Sequence, residues 1–297
     1  MISRSIRKDD PSVDVCNSLV LRVESLVRKV KEADIKLPRF QRPFVWKRGD
    51  ILDLWDSVYR GYPISSVLLW FTKEKLASHR TIGDLAVDER PEEYPTNYLL
   101  DGQQRLSTLC GVLFWDGKNP KSNWAVAFDL KTETFFHRTD APLAPHHFPM
   151  NRLLETKDFI KECGRLHAAD DADHLIEVAE RLLNAVKDYK IAAVTLSNMD
   201  IDEVAPVFER INSSGRQLTV AELLVAATWS SEFDLSEEME AIKQSLAPRG
   251  FDRIRNKTLL QSFSAATGRG INAPELRKLR QVGSVVLESS ASTRTAG

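Results

Sequence analysis

Asn97-Tyr98-Leu99-Leu100-Asp101-Gly102-Gln103-Gln104-Arg105-Leu106 carries the change of hydrophobic period that decides the fold. Asn97 to Leu100 has the apolar and aromatic character of a buried strand. Directly after Asp101-Gly102, the residues Leu106, Leu109, Cys110 and Leu113 recur on one helical face. A strand that turns at a glycine into a helix presents backbone N–H groups and the positive end of a helix dipole, which suit an anion such as phosphate. Gly102 allows close backbone approach. Arg105 can grip phosphate through a two-pronged fork, and Asp101 can hold a magnesium ion or position a water. A structural reading stands beside this one: Asp101 as N-cap, with Gln104 reaching back as in a capping box.

Upstream, Leu19 to Val30 is periodic enough for a helix. Ile51, Leu52, Trp55, Val58, Tyr59 and Tyr62 predict another, ended by Gly61 and Pro63. Ser66 to Phe71 predicts a short buried strand, and the charged stretch Lys73 to Pro95 a connection with little core of its own. Downstream, Trp124 to Leu130 predicts a strand, and Thr134 to Arg138 pairs with it across a Lys-Thr-Glu turn. Asp140 to Pro149 holds three prolines and two histidines and is expected to be a loop and the domain boundary.

Beyond it the pattern is mostly helical: Thr156 to Gly164, Asp171 to Tyr189, Asp202 to Asn212, Thr219 to Ser230 and Ser236 to Leu246, with one strand-like run at Ile191 to Leu196. The expected organisation is an N-terminal extension at 1–17, an α+β domain at 18–139, a mainly helical subdomain at 150–268 that completes a cleft, and a poorly structured tail at 269–297.

Composition excludes more than it selects. With 41 basic and 42 acidic residues the net charge is −1, so contact with nucleic acid must come from a local patch. Cys16, Cys110 and Cys163 are far apart and form no CxxC pair, which argues against a disulfide framework and fits a reducing cytosol. The first fourteen residues lack the apolar region of a signal peptide, and no run approaches the ~18 apolar residues of a membrane span. A cytoplasmic protein without membrane contact is expected.

Two further segments can carry chemistry. In Pro38 to Trp46, Arg39, Gln41 and Arg42 lie beside Phe40, Phe44 and Trp46. Such interleaving can stack a base and bind phosphate, or it can be a proline-braced loop pinned by aromatic anchors. In Phe208 to Leu218, Gly215 is placed to end a helix, and Thr219 with Glu222 caps the next. Those capping roles leave the cluster Arg210, Asn212, Ser213 and Arg216 unexplained, and it is either a wall for phosphate or ribose or a solvated loop. His146-His147 has no obvious third ligand, and a surface loop is the expectation there. Walker A, GxSxG, HExxH and His-Asn-His nuclease patterns do not occur.

In their order and separation, Leu37-Pro38-Arg39-Phe40-Gln41-Arg42-Pro43-Phe44-Val45-Trp46, Tyr59-Arg60-Gly61-Tyr62-Pro63-Ile64, Leu100-Asp101-Gly102-Gln103-Gln104-Arg105-Leu106 and Phe208-Glu209-Arg210-Ile211-Asn212-Ser213-Ser214-Gly215 resemble the N-terminal domain of GmrSD-type, modification-dependent restriction systems, a branch of the ParB/sulfiredoxin-like superfamily. The resemblance covers about residues 18 to 230. It implies an α+β fold, with a small mixed sheet and flanking helices followed by a mainly helical subdomain. It implies a nucleoside triphosphate with Mg2+ or another divalent cation, bound and hydrolysed, and a regulatory role in cleaving phage or modified DNA.

Carried over by position, Asp101, Gln103, Gln104 and Arg105 are the catalytic candidates, with Asp101 the metal ligand. Gln41, Arg42, Gly102, Arg210 and Asn212 are the nucleotide-binding candidates. Sulfiredoxin chemistry is set aside, because the turn carries Gln103 and Gln104 where that chemistry needs a cysteine. Many relatives continue into a His-Asn-His nuclease domain that this sequence does not reach, so the resemblance implies either a separate nuclease subunit or a stand-alone or truncated form, and a homo-oligomer is compatible. A DNA-nicking enzyme in its own right and a non-catalytic sensor of nucleotide or modified DNA are the competing functions.

Overall fold

The computed structural model describes residues 16–39, 41, 44–76, 78–83, 85–88, 95–169, 171–201, 203–204, 207, 235–251, 253–266, 268 and 270. The chain divides into two compact units. The first takes Met1–Leu37, Arg42–Phe71 and His79–Ser197, and the second Pro38–Gln41, Thr72–Ser78 and Asn198–Gly297.

The first unit opens with strand β1 (Cys16–Arg22) and helix α1 (Val23–Lys31). Sequence periodicity expects helix from Leu19, but Leu19 to Arg22 are strand. The reason lies far along the chain: β1 runs antiparallel to β10 (Lys190–Ser197), with Cys16 opposite Leu196 and Arg22 opposite Lys190. Seven cross-strand positions outweigh the weak local preference of four residues for helix. The helical stripe then begins at Val23, and Val23, Leu26, Val27 and Val30 are all buried.

β10 lies parallel to β3 (Val67–Thr72), and the short β2 (Ile35–Lys36) lies parallel to β6 (Thr96–Asp101). The result is a mixed five-stranded sheet in the order β1-β10-β3-β6-β2. β10, β3 and β6 are its interior strands, and β3 and β6 show the near-continuous apolar character of strands covered on both faces. Helix α2 (Arg48–Tyr59) buries Ile51, Leu54, Trp55 and Val58 and ends at Gly61, whose φ is +72°.

The 73–95 connection contributes more core than its charge suggests. It carries the hairpin β4 (Thr81–Ile82) and β5 (Leu85–Ala86), with Ile82 and Leu85 in the core. Gly83, at φ +61°, lets this hairpin press on helix α3 (Gln103–Leu113): a Cβ at Gly83 would sit 2.7 Å from Gly111 Cα.

A second sheet holds β7 (Val126–Asp129) between β8 (Thr134–His137) and β9 (His147–Pro149), all antiparallel. The hairpin of β7 and β8 follows the sequence reading. The 140–149 segment is loop until His147 and then pairs with β7, so it lies within the first unit. A 3₁₀ turn (Met150–Arg152) leads to α4 (Thr156–Leu166) and α5 (Ala172–Asp188), which bury Leu166, Leu175, Val178, Ala179, Leu182 and Val186.

In the second unit the described helices are α6 (Leu235–Leu246) and α7 (Asn256–Ala266), joined by a 3₁₀ turn at Ala247–Arg249. The helices expected at 202–212 and 219–230 fall mostly or wholly outside the described residues, as do residues 1–15 and all of the 269–297 tail except residue 270. Among the described residues no helix is long and apolar enough to cross a membrane.

Candidate functional site

β6 delivers Asp101 at its last position, and Gly102 turns the chain into α3 with φ +99°. This left-handed conformation and the tight seat on β3 explain the glycine. A Cβ there would lie 2.9 Å from Val67 Cγ1 and 3.2 Å from Arg105 Nη2. Gly102 is also the N-cap, with no side chain capping the helix. The capping-box alternative for Asp101 and Gln104 is therefore overturned: Asp101 is still strand, and Gln104 points elsewhere.

Gln104 Oε1 accepts hydrogen bonds from the backbone N–H groups of Val45 at 2.9 Å and Trp46 at 3.3 Å. The side chain, only 6% exposed, thus braces the loop leading into α2. Further down the helix, Thr108 Oγ1 donates to the Gln104 carbonyl at 2.8 Å. The aromatic neighbours in that loop are anchors. Phe44 stands edge-on to Trp124 with ring centres 4.7 Å apart, and both Phe44 and Trp46 pack against the core.

Arg105 Nη2 donates to the Ser66 carbonyl at 2.7 Å and to Asp101 Oδ2 at 3.2 Å. This i to i+4 pair ties the end of β6 to the first turn of α3 and to the residue preceding β3. Two buried polar atoms in this turn, Arg105 Nε and Gln103 Oε1, have no hydrogen-bond partner among the described residues. Buried donors and acceptors are costly to leave unpaired, so an orphan pair at the start of a helix marks a place where a polar ligand would be favoured.

The structure brings Asp101, Gly102, Gln103, Gln104 and Arg105 into one turn. Of the other candidates, Gln41 belongs to the second unit, where its N–H bonds the Pro38 carbonyl at 3.1 Å. Arg42, Arg210 and Asn212 lie outside the described residues.

Sequence reasoning found no third ligand for the His146-His147 pair; the fold supplies Asp129. Its carboxylate oxygen Oδ2 is 3.9 Å from His146 Nε2 and 3.8 Å from His147 Nε2. Asp129 is held below the usual carboxylate range by the Lys131 and Thr132 amides and by His146, against the opposing effect of its burial. The sequence carries no local signal for this ligand, because it is the register of β9 against β7 that places His147 opposite Asp129.

Two comparisons with known proteins bear on this geometry. An uncharacterized protein of Methanocaldococcus jannaschii is 23% identical over 290 residues, an alignment taking in 86% of this chain and 50% of that protein. The chain thus spans about half the length of the curated relative it matches. The family model described as GmrSD restriction endonuclease, N-terminal domain, matches residues 23–229, from the first residue of α1 past the Asp101–Arg105 turn, and the chain belongs to that family.

Proposed function

We propose that this chain is a nucleoside-triphosphate-binding and hydrolysing regulatory module of a restriction system, with the Asp101–Arg105 turn facing the phosphates. The observation that carries the reading is the pair of orphaned buried atoms, Arg105 Nε and Gln103 Oε1, at the N-terminus of an eleven-residue helix. A phosphate oxygen would satisfy the arginine donor, and the helix dipole would favour the same charge. A water or ribose hydroxyl would satisfy the glutamine acceptor.

The residues also fit a divalent cation. The Asp101 side chain is 40% exposed and commits Oδ2 to Arg105, which leaves Oδ1 for a hydrated Mg2+ ion. Bound there, such an ion would neutralise charge on the transferring phosphoryl group. Arg105, fixed by Ser66 and Asp101, would hold its donors towards the developing oxyanions. Gln103 is the side chain left to orient a water, because Gln104 is engaged as a brace. We extend the reading to a ParB/sulfiredoxin-like origin for the mixed sheet and to phage-derived or modified DNA as the target of the system; the family description supports DNA as that target.

The test measures binding of the four nucleoside triphosphates with Mg2+ by calorimetry, and phosphate release, in wild type, Asp101→Ala and Arg105→Ala, with circular dichroism as the folding control. Binding and turnover by wild type, and their loss in folded variants, support the proposal. Equal behaviour of the three proteins overturns it. Binding without turnover reduces the module to a sensor, and metal-dependent nicking of plasmid DNA by the chain alone would favour a nuclease instead.

A further inference from the structure

We propose that Asp129, His146 and His147 form a binding site for a divalent transition ion of the zinc type, separate from the Asp101–Arg105 turn. The three side chains offer ligand atoms that all lie within 4.8 Å of one another. Adjacent histidines ordinarily diverge. These converge because the chain enters β9 between them: His147 is the first residue of that strand and pairs directly with Asp129, while His146 closes the preceding turn. Their rings stand edge to face with centres 4.5 Å apart.

The surroundings fix each ligand. Asp129 Oδ1 accepts the backbone N–H groups of Lys131 at 2.8 Å and Thr132 at 3.2 Å, which turns Oδ2 towards both imidazoles. The Leu130 N–H bonds the His146 carbonyl at 3.0 Å and locks that residue beside the end of β7. Arg165 clasps the turn from outside: its guanidinium donates to the carbonyls of Ala144 at 3.2 Å, Pro145 at 3.0 Å and His147. The Phe136 ring packs at a tilt against the His147 imidazole, with ring centres 4.6 Å apart. Such outer contacts hold metal-binding side chains in place.

The donor set selects the ion. Two imidazoles and one carboxylate suit zinc, cobalt or nickel, whereas magnesium and calcium prefer oxygen throughout. Ligands about 2.0–2.1 Å from a tetrahedral ion lie about 3.3 Å apart, so the 3.8 and 3.9 Å separations close by small side-chain rotations. Three protein ligands leave one position for water. Ion uptake changes one contact. The Ala144 N–H donates to His147 Nδ1 at 3.2 Å, which puts the proton of the neutral ring on Nε2. Coordination through Nε2 moves that proton to Nδ1 and gives up this long hydrogen bond in exchange for a coordinate bond.

The experiment titrates Zn2+, Co2+ and Mg2+ into the full chain by calorimetry and follows thermal melting with and without Zn2+. One Zn2+ or Co2+ per chain, a higher melting temperature with Zn2+, and no displacement of bound Zn2+ by Mg2+ at the same concentration are expected. Asp129→Asn keeps an oxygen for the Lys131 and Thr132 amides, so it preserves the turn while removing the charged ligand. Asp129→Asn and His146→Ala should bind Zn2+ more than about tenfold more weakly. His167→Ala, which changes an exposed histidine outside the cluster, should bind as wild type. Absence of Zn2+ and Co2+ binding by wild type, or wild-type affinity in both Asp129→Asn and His146→Ala, overturns the site.

Discussion

Gln104 on α3 holds the backbone of Val45 and Trp46, residues 59 and 58 positions away in sequence, through a single side-chain oxygen. The Asp101–Arg105 turn and the loop before α2 are thereby one mechanical unit. Gln104→Met keeps the shape and removes the acceptor, leaving two amide donors without it. An unsatisfied, partly buried amide costs about 1–3 kcal/mol, so urea unfolding should show a loss of that order. An unchanged midpoint would mean that water replaces the glutamine oxygen without penalty.

Gly102→Ala should destabilise the protein through backbone and packing together. The left-handed conformation costs a non-glycine residue about 1–2 kcal/mol, and the new methyl group meets Val67 Cγ1 at 2.9 Å. Gly61→Ala is the control, since Gly61 has φ +72° and open space around the added carbon. Urea midpoints should fall further for Gly102→Ala than for Gly61→Ala. Equal losses would show that Val67 moves aside freely.

The last turn of α3 predicts a third outcome. A Cβ on Gly111 would lie 2.4 Å from Trp124 Cδ2 and 2.5 Å from Cε3. Overpacking of this kind costs about 1–3 kcal/mol, and Gly111→Ala should lower stability by that amount. Trp124→Val opens the space, so the double variant should lose less than the sum of the two single losses. Strict additivity in a double-mutant cycle would contradict the contact.

His137 makes stability depend on pH. Its ring nitrogen Nε2 lies 2.9 Å from the Arg48 carbonyl, and Nδ1 is buried with no hydrogen-bond partner among the described residues. Burial lowers its pKa below the ordinary histidine value, against the opposing effect of the Arg48 contact. The unfolded chain therefore binds a proton at a higher pH than the folded one. The contribution is complete above about pH 6.5 and is lost as pH falls towards the depressed folded value. His137→Gln should flatten the decline in urea midpoint between neutral and mildly acidic pH. A decline as steep as that of wild type would assign the effect to other groups.

What the sequence determined by itself was local. The period change at Asp101-Gly102, the stripe Val23, Leu26, Val27 and Val30, and the β7 and β8 hairpin all follow from residues a few positions apart, whose side chains share a face by helix or strand geometry. The strand-to-helix turn at Asp101–Arg105 was legible for the same reason. What only the tertiary structure decided depends on partners far along the chain. β1 is a strand because β10 arrives beside it from 190–197. Gln104 is a brace because the 45–46 backbone comes within reach, where local capping chemistry expected a reach backward. Asp129 joins His146 and His147 because β9 pairs with β7 in one register, and a shift of one residue would carry His147 to the other face of the sheet. Local periodicity carries no information on register between distant strands, so these contacts become visible only when the chain is closed on itself.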